Sequence, residues 1–174
     1  MIKLRKIETT DYDFRKELLS DEKTMFYNAI KKEYLKEAII TDSTDYNPLN
    51  GTISFGIEEQ QYFTKFLLES NEVFYGIIEN EEGKLIGEYC YYKFGNACHI
   101  GLTILNKYRR KGYGRQVLKQ LTDIVVCGED QLGKLIFIVL NKANQIDFSQ
   151  FFLLKNGFII DKENTEQVVL RHKY

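Results

Sequence analysis

The chain has little of what several protein classes require. It holds three cysteines, Cys90, Cys98 and Cys127, with no paired spacing, and two histidines, His99 and His172, far apart. Zinc sites need closely spaced sets of such ligands, so no metal is expected. The cysteines read as buried small apolar residues in a reduced, cytoplasmic protein. Proline occurs once, and no internal repeat, low-complexity tract or interdomain linker is visible. The 174 residues are therefore expected to form one domain, 1–174. Formal net charge is -1, which removes any global attraction to nucleic acid or an anionic membrane. No apolar run approaches the ~20 residues that span a bilayer. The start, Met-Ile-Lys-Leu-Arg-Lys, is charged and lacks a signal-peptide core.

What is present suits a globular core: 44% apolar and 28% charged residues. Alternation over Ile2 to Ile7 predicts a strand. From Asp11 to about Ile40 the spacing of Phe14, Leu18 and Leu19, then Phe26, Ile30, Tyr34 and Leu35, predicts two helices broken at Ser20-Asp21. Residues 41 to 55 read as a loop, and Ile57 to Ser70 as a further helix. Val73 to Glu79, Lys84 to Phe94 and Ala97 to Leu105 predict an antiparallel meander, with turns at Asn80–Gly83 and Gly95-Asn96. A helix from Gly112 to about Cys127 follows, stopped by Gly128. Leu135 to Leu140 reads as a buried strand, Asn144 to Asn156 as a helix, and Phe158 to Asp161 and Val168 to His172 as a final strand pair.

One stretch concentrates unusual chemistry. Ile104 to Arg115 reads Ile-Leu-Asn-Lys-Tyr-Arg-Arg-Lys-Gly-Tyr-Gly-Arg and joins the third meander strand to a helix. The first turn of a helix offers free N–H groups and a partial positive charge, which binds phosphate. Gly112 and Gly114 let the backbone turn sharply and approach a ligand. Arg109, Arg110, Lys111 and Arg115 add full positive charge. The order Arg109-x-x-Gly112-x-Gly114 resembles the cofactor signature of the GNAT superfamily of acyl-CoA N-acyltransferases. The element order resembles that fold across nearly the whole chain, and Lys155-Asn156-Gly157-Phe158 is similar to the family's segment before its sixth strand.

The resemblance implies an α/β (α+β) domain with a mixed central sheet of about six or seven strands, the meander preceding helix–strand–helix–strand, and helices on both faces. It implies acetyl-CoA as co-substrate, its pyrophosphate on Arg110, Lys111, Gly112, Tyr113 and Gly114, with Arg109 and Arg115 beside it. Leu102, Thr103 and Ile104 would line the pantetheine arm. Asn144 resembles the asparagine that contacts this arm, with Asn141 as competitor. The implied activity is direct acetyl transfer, in a ternary complex, to a primary amine carried by a small molecule or a protein. A non-catalytic acyl-CoA sensor of the same fold is the alternative. Dimers are common in the family, so a homodimer is an open expectation.

An alkyl ammonium has a pKa of about 10 and must lose its proton before it attacks. His99, which titrates near neutral pH, and Glu88, a carboxylate in the meander, are the candidate bases. Many family members carry a tyrosine, as acid for the departing thiolate, where this chain has Leu153. Ser149, one helical turn earlier, could hold a water there. The acidic residues Glu37, Asp42, Asp45, Glu58 and Glu59 would suit a cationic acceptor or simply form a solvated loop.

Overall fold

Period-two alternation builds most of the sheet. The computed structural model describes residues 1–35, 45–70, 72–95, 97–127 and 135–172. Its strands are β1 (Lys3–Lys6), β2 (Val73–Glu79), β3 (Leu85–Phe94), β4 (Ala97–Ile104), β5 (Leu135–Asn141), β6 (Phe158–Glu163) and β7 (Gln167–His172). They form one seven-stranded sheet in the order β1-β2-β3-β4-β5-β7-β6. Neighbours pair antiparallel except β4 and β5, which are parallel. The expected mixed sheet and meander are present.

Helices cover both faces. On one side lie α1 (Tyr12–Ser20), α2 (Glu22–Met25) and α3 (Ile57–Tyr62), where Phe14, Leu18, Leu19 and Met25 pack with Phe63, Leu67 and Ile77. On the other lie α4 (Tyr113–Cys127) and α5 (Asp147–Lys155). Here Leu118, Val125 and Leu153 pack on Cys98, Ile100 and Ile136, while Val117 and Leu121 meet Ile78 and Ile104. Asp21 accepts from the Thr24 N–H at 3.1 Å and caps α2, which explains the break expected at Ser20-Asp21.

Four expectations are corrected. Phe26 to Tyr34 is not a helix but two short 3₁₀ turns, Phe26–Asn28 and Lys32–Tyr34. Long-range partners take its backbone: Ile30 N–H bonds Pro48 at 2.8 Å, Lys31 N–H bonds Ala143 at 2.7 Å, and Ala29 accepts from Gln145 at 2.9 Å. The helix at Ile57 continues past Tyr62 as a π-helix, Phe63–Leu68. Helix α5 starts at Asp147, because Asn144 is held in a bridge to Ile30. Strand β5 is buried on one face only: Ile136 is inaccessible, whereas Leu135 and Val139 are 38% and 40% exposed. Gly128, Glu37 and Asp42 lie outside the described residues.

Candidate active site

Strand β4 is anchored to β3 along its length, and the register sets which side chains share a face. Glu88 stands opposite Thr103, Cys90 opposite Gly101 and Tyr92 opposite His99. Among the described residues, parallel pairing with β5 covers only Ala97, Cys98 and His99, although β4 runs on to Ile104 and β5 to Asn141. The strands therefore part over Ile100 to Ile104, leaving a gap beside Leu102, Thr103 and Ile104. The chain leaves that gap through a 3₁₀ turn, Asn106–Tyr108, and enters α4 at Tyr113.

The turn between them has the backbone form that can cradle an anion. Arg110 and Gly112 have φ of 61° and 84°, left-handed conformations that fold successive amides toward one concavity. The helix makes its bond from Gln116 N–H to the Gly112 carbonyl at 3.2 Å. Tyr113, Gly114 and Arg115 precede any carbonyl four residues back within α4, so helix geometry gives their amides no intrahelical acceptor. Gly114 has a separate reason to be glycine, since a Cβ there would sit 2.9 Å from the Phe152 ring. Arg110, Lys111 and Arg115 are exposed around the cradle, and Arg115 Nε reaches Asn156 Oδ1 at 3.1 Å. Tyr113 half-covers the core and donates to Glu81 Oε1 at 3.1 Å. These residues fit the pyrophosphate of coenzyme A in charge and in backbone form.

Arg109 faces inward and differs from its neighbours. Its Nε donates to the Ile104 carbonyl at 2.9 Å, Nη1 to Lys23 at 3.3 Å and Nη2 to Thr24 at 2.6 Å. Its guanidinium is committed to backbone oxygens, which makes it a buttress for the loop. Thr24 completes the clasp by accepting from the Asn106 N–H at 2.7 Å.

On the α1 face a polar network is buried against this stretch. Glu88 accepts from Arg15 Nη1, and Arg15, only 6% exposed, lies 3.9 Å from Glu59 Oε2 on α3. Among the described residues, Arg15 Nε and Glu59 Oε2 are buried without a hydrogen-bond partner. Burial raises the Glu59 pKa, with Arg15 working against the shift. Glu59 also lines a cleft of about 500 Å³ with Asp45, Tyr46, Tyr62, Lys65 and Phe66. Tyr62 and Tyr75 meet hydroxyl to hydroxyl at 3.0 Å, and Tyr75 stands opposite Cys90. The cleft thus opens on the Glu88 face of the sheet. Burial pushes the Cys90 and Cys98 thiols up to about 12 and about 11.

The segment Tyr27 to Lys31 straps the two parting strands together. Tyr27 shares a hydrogen bond with Thr103 Oγ1 at 3.0 Å, while Ile30 bridges Asn144 beyond the end of β5. Asn144 also reaches Asn28 Oδ1 at 3.4 Å, and Asn141 Oδ1 accepts from Ala143 N–H at 2.9 Å. Both asparagines act here as turn and strap residues at the far side of the gap.

Of the candidate bases, Glu88 lies with Thr103 beside the gap. His99 shares that face but lies four residues back along β4, about 13 Å away at 3.3 Å per residue. Its ring stacks on Tyr92, with centroids 5.1 Å apart, and burial lowers its pKa. Ser149 is half-buried on α5, and Leu153, 3% exposed, fills the core below it. Sequence reasoning missed Arg15 and Tyr27. Arg15 had a signal: it is a charge three and four residues before Leu18 and Leu19, on the buried stripe of α1. Tyr27 had none, because its partner is remote in sequence.

A basic, glycine-turned helix start beside two parting parallel strands is the arrangement that the resemblance to acyl-CoA N-acyltransferases implies. The sequence model described as the acetyltransferase (GNAT) family matches residues 23–158, and the chain belongs to that family. Among solved structures, the chain is similar to a spermidine N-acetyltransferase from Vibrio cholerae in complex with CoA and spermine. The TM-score is 0.67 and the identity 16%, over 98% of this chain and 92% of that one. A spermidine/spermine N-acetyltransferase from the same organism, in complex with manganese ions, gives a TM-score of 0.63 at 11% identity, over 98% and 91%. A comparison with curated proteins returned no match. Among the described residues no group of three or more metal-ligating side chains is placed to hold an ion, and no helix is long and apolar enough to cross a membrane.

Proposed function

We propose that the protein moves the acetyl group of acetyl-CoA to a primary amine of a small molecule, by direct attack in a ternary complex. The observation that carries this reading is the short β4–β5 seam: β4 leaves β5 after His99 and leads straight to the cradle at Arg110–Gly114. Acetyl-CoA supplies an activated thioester when bound. Arg110, Lys111, Arg115 and the amides of Gly112 to Gly114 hold its phosphates, and Leu102 to Ile104 lie along its arm. Glu88, beside Thr103, is the base for the incoming ammonium, taking the proton directly or through water. His99 is the alternative base. Tyr27 holds a proton at its hydroxyl, because burial raises its pKa more than Thr103 lowers it. It is assigned as donor to the leaving thiolate in place of Leu153, with Ser149 and its water as the competing donor. Structural neighbours named for spermidine put alkylamines first in the acceptor panel.

The test is thermal stabilisation by CoA and acetyl-CoA, followed by thiol release with an amine panel. Ligand at a hundred times its dissociation constant adds about 2.7 kcal/mol. The expected result is stabilisation of the wild type and none of Gly112→Asp/Gly114→Asp. A wild type that neither ligand stabilises would overturn the assignment.

A further inference from the structure

Resting on the reading above, we infer that the cleft beside α3 seats a second cation of the acceptor, so that the preferred substrates are linear diamines or polyamines rather than monoamines. Glu59 and Asp45 are the carboxylates of that seat.

The charges point this way first. Among the described residues, Asp45, Glu59 and Glu88 face two cations, Arg15 and Lys65, which leaves one negative charge in excess. Arg15 is already spent on Glu88, to which it is hydrogen-bonded. Its approach to Glu59, 3.9 Å, is too long for a hydrogen bond. Glu59 is thus a half-buried carboxylate, and its Oε2, beside Arg15, has no hydrogen-bond donor among the described residues. An oxygen held from water without a donor carries a penalty, and an ammonium at the exposed side of the same carboxylate supplies the pairing that Arg15 leaves incomplete.

The lining adds a second, independent argument. Tyr46, Tyr62 and Phe66 line the cleft beside the two carboxylates. Aromatic faces accept both methylene groups and cations, and the cleft already holds one such pair, Lys65 Nζ 5.4 Å from the Phe66 ring centre. An alkyl chain ending in ammonium offers both groups; an anionic or neutral acceptor offers neither. The helix also changes winding here. It passes from α to π at Phe63, between Tyr62 and Lys65 of the lining, and single π turns concentrate at functional sites.

The position fits a bifunctional acceptor. Glu59 and Glu88 are linked through the buried Arg15, which puts the cleft and the β3–β4 pair at Glu88 and Thr103 on one face of the sheet. A diamine reaching across that face presents one nitrogen to the β4 gap while the other remains at Glu59.

The test compares 1,4-diaminobutane with n-pentylamine, which replaces one ammonium by a methyl group of similar size. The expected result is a kcat/KM at least tenfold higher for the diamine in the wild type. Glu59→Gln should bring the diamine to within twofold of the monoamine, mainly through KM, and Asp45→Asn should remove part of the preference. Calorimetric titration of 1,4-diaminobutane, without acetyl-CoA, should show binding to the wild type that weakens at least tenfold in Glu59→Gln. Equal use of the two amines, or a diamine preference that survives Glu59→Gln, would overturn the seat. If Glu59→Gln fails to fold, the wild-type ratio and Asp45→Asn decide. If no amine releases thiol, the catalytic reading fails, while the titration still decides the seat.

Discussion

Arg109 Nη2 donates to the carbonyl oxygen of Thr24 at 2.6 Å, tying the first basic residue of the Arg109–Arg115 loop to the end of α2. The loop is held in place by a residue that spends its own donors inward. Replacing Arg109 by alanine strands three backbone carbonyls, and a charged donor to each is lost. The expected cost is about 2–3 kcal/mol in urea unfolding. CoA affinity should also fall, and Arg109→Lys, which cannot reach all three oxygens, should recover only part of the loss.

The two glycines of the loop should fail for different reasons. Gly112 has φ of 84° and open space where a Cβ would go, so Gly112→Ala carries backbone strain of about 1–2 kcal/mol. Gly114→Ala collides with Phe152 and costs about 1–3 kcal/mol through overpacking. Adding Phe152→Leu should rescue the stability of the second variant and leave the first unchanged, as read from melting temperatures of the four proteins.

Tyr27→Phe removes one hydroxyl from the strap and leaves Thr103 Oγ1 without that partner. Stability should fall by about 1 kcal/mol. CoA should still bind, with kcat reduced. If Tyr27 assists the thiolate, the thiol of bound CoA should titrate higher in the variant, measured by thiolate absorbance. An unchanged thiol pKa would remove Tyr27 from that role.

Asp11 predicts a pH dependence. Burial pushes its pKa up, but the two-pronged bonds from Arg5, both 2.7 Å, and the Glu8 N–H at 2.8 Å more than offset this, so the pKa lies below its ordinary value. A lowered folded pKa contributes stability that is present above the unfolded value, about 4, and is lost as pH falls through the folded one. Asp11→Asn should therefore cost about 3 kcal/mol at pH 7. That difference should shrink steadily below about pH 4 in urea titrations of both proteins.

Much of this architecture was legible before any coordinates. Residues 73 to 105 alternate strictly enough, and turn on well-placed glycines, to give the meander nearly to the residue. The helix after Gly112 was equally plain, because Val117, Leu118, Leu121 and Val125 keep helical spacing. Residues 26 to 34 misled because Phe26, Ile30 and Tyr34 also keep helical spacing. Their backbone groups find stronger partners at Pro48 and Ala143, which no local pattern encodes. The basic, glycine-turned loop before α4 was legible because its residues are contiguous in the chain. The Glu88–Arg15–Glu59 network joins three elements, and only the fold brings them together. Arg109 shows the limit of a motif: the sequence places a cation at the loop without saying which way it points.

The short seam between β4 and β5 also has a mechanical meaning. Among the described residues, three residue pairs are the only ladder joining a four-stranded leaf to a three-stranded one, so the sheet has a crease. Side chains of Cys98, Ile100 and Ile136 clamp one end of it, and the Tyr27–Lys31 strap crosses the other. Strain applied along the crease has one soft direction, a change in the angle between the leaves. Tightening or slackening the strap would therefore widen or narrow the slot from a distance, with no residue of the slot itself altered.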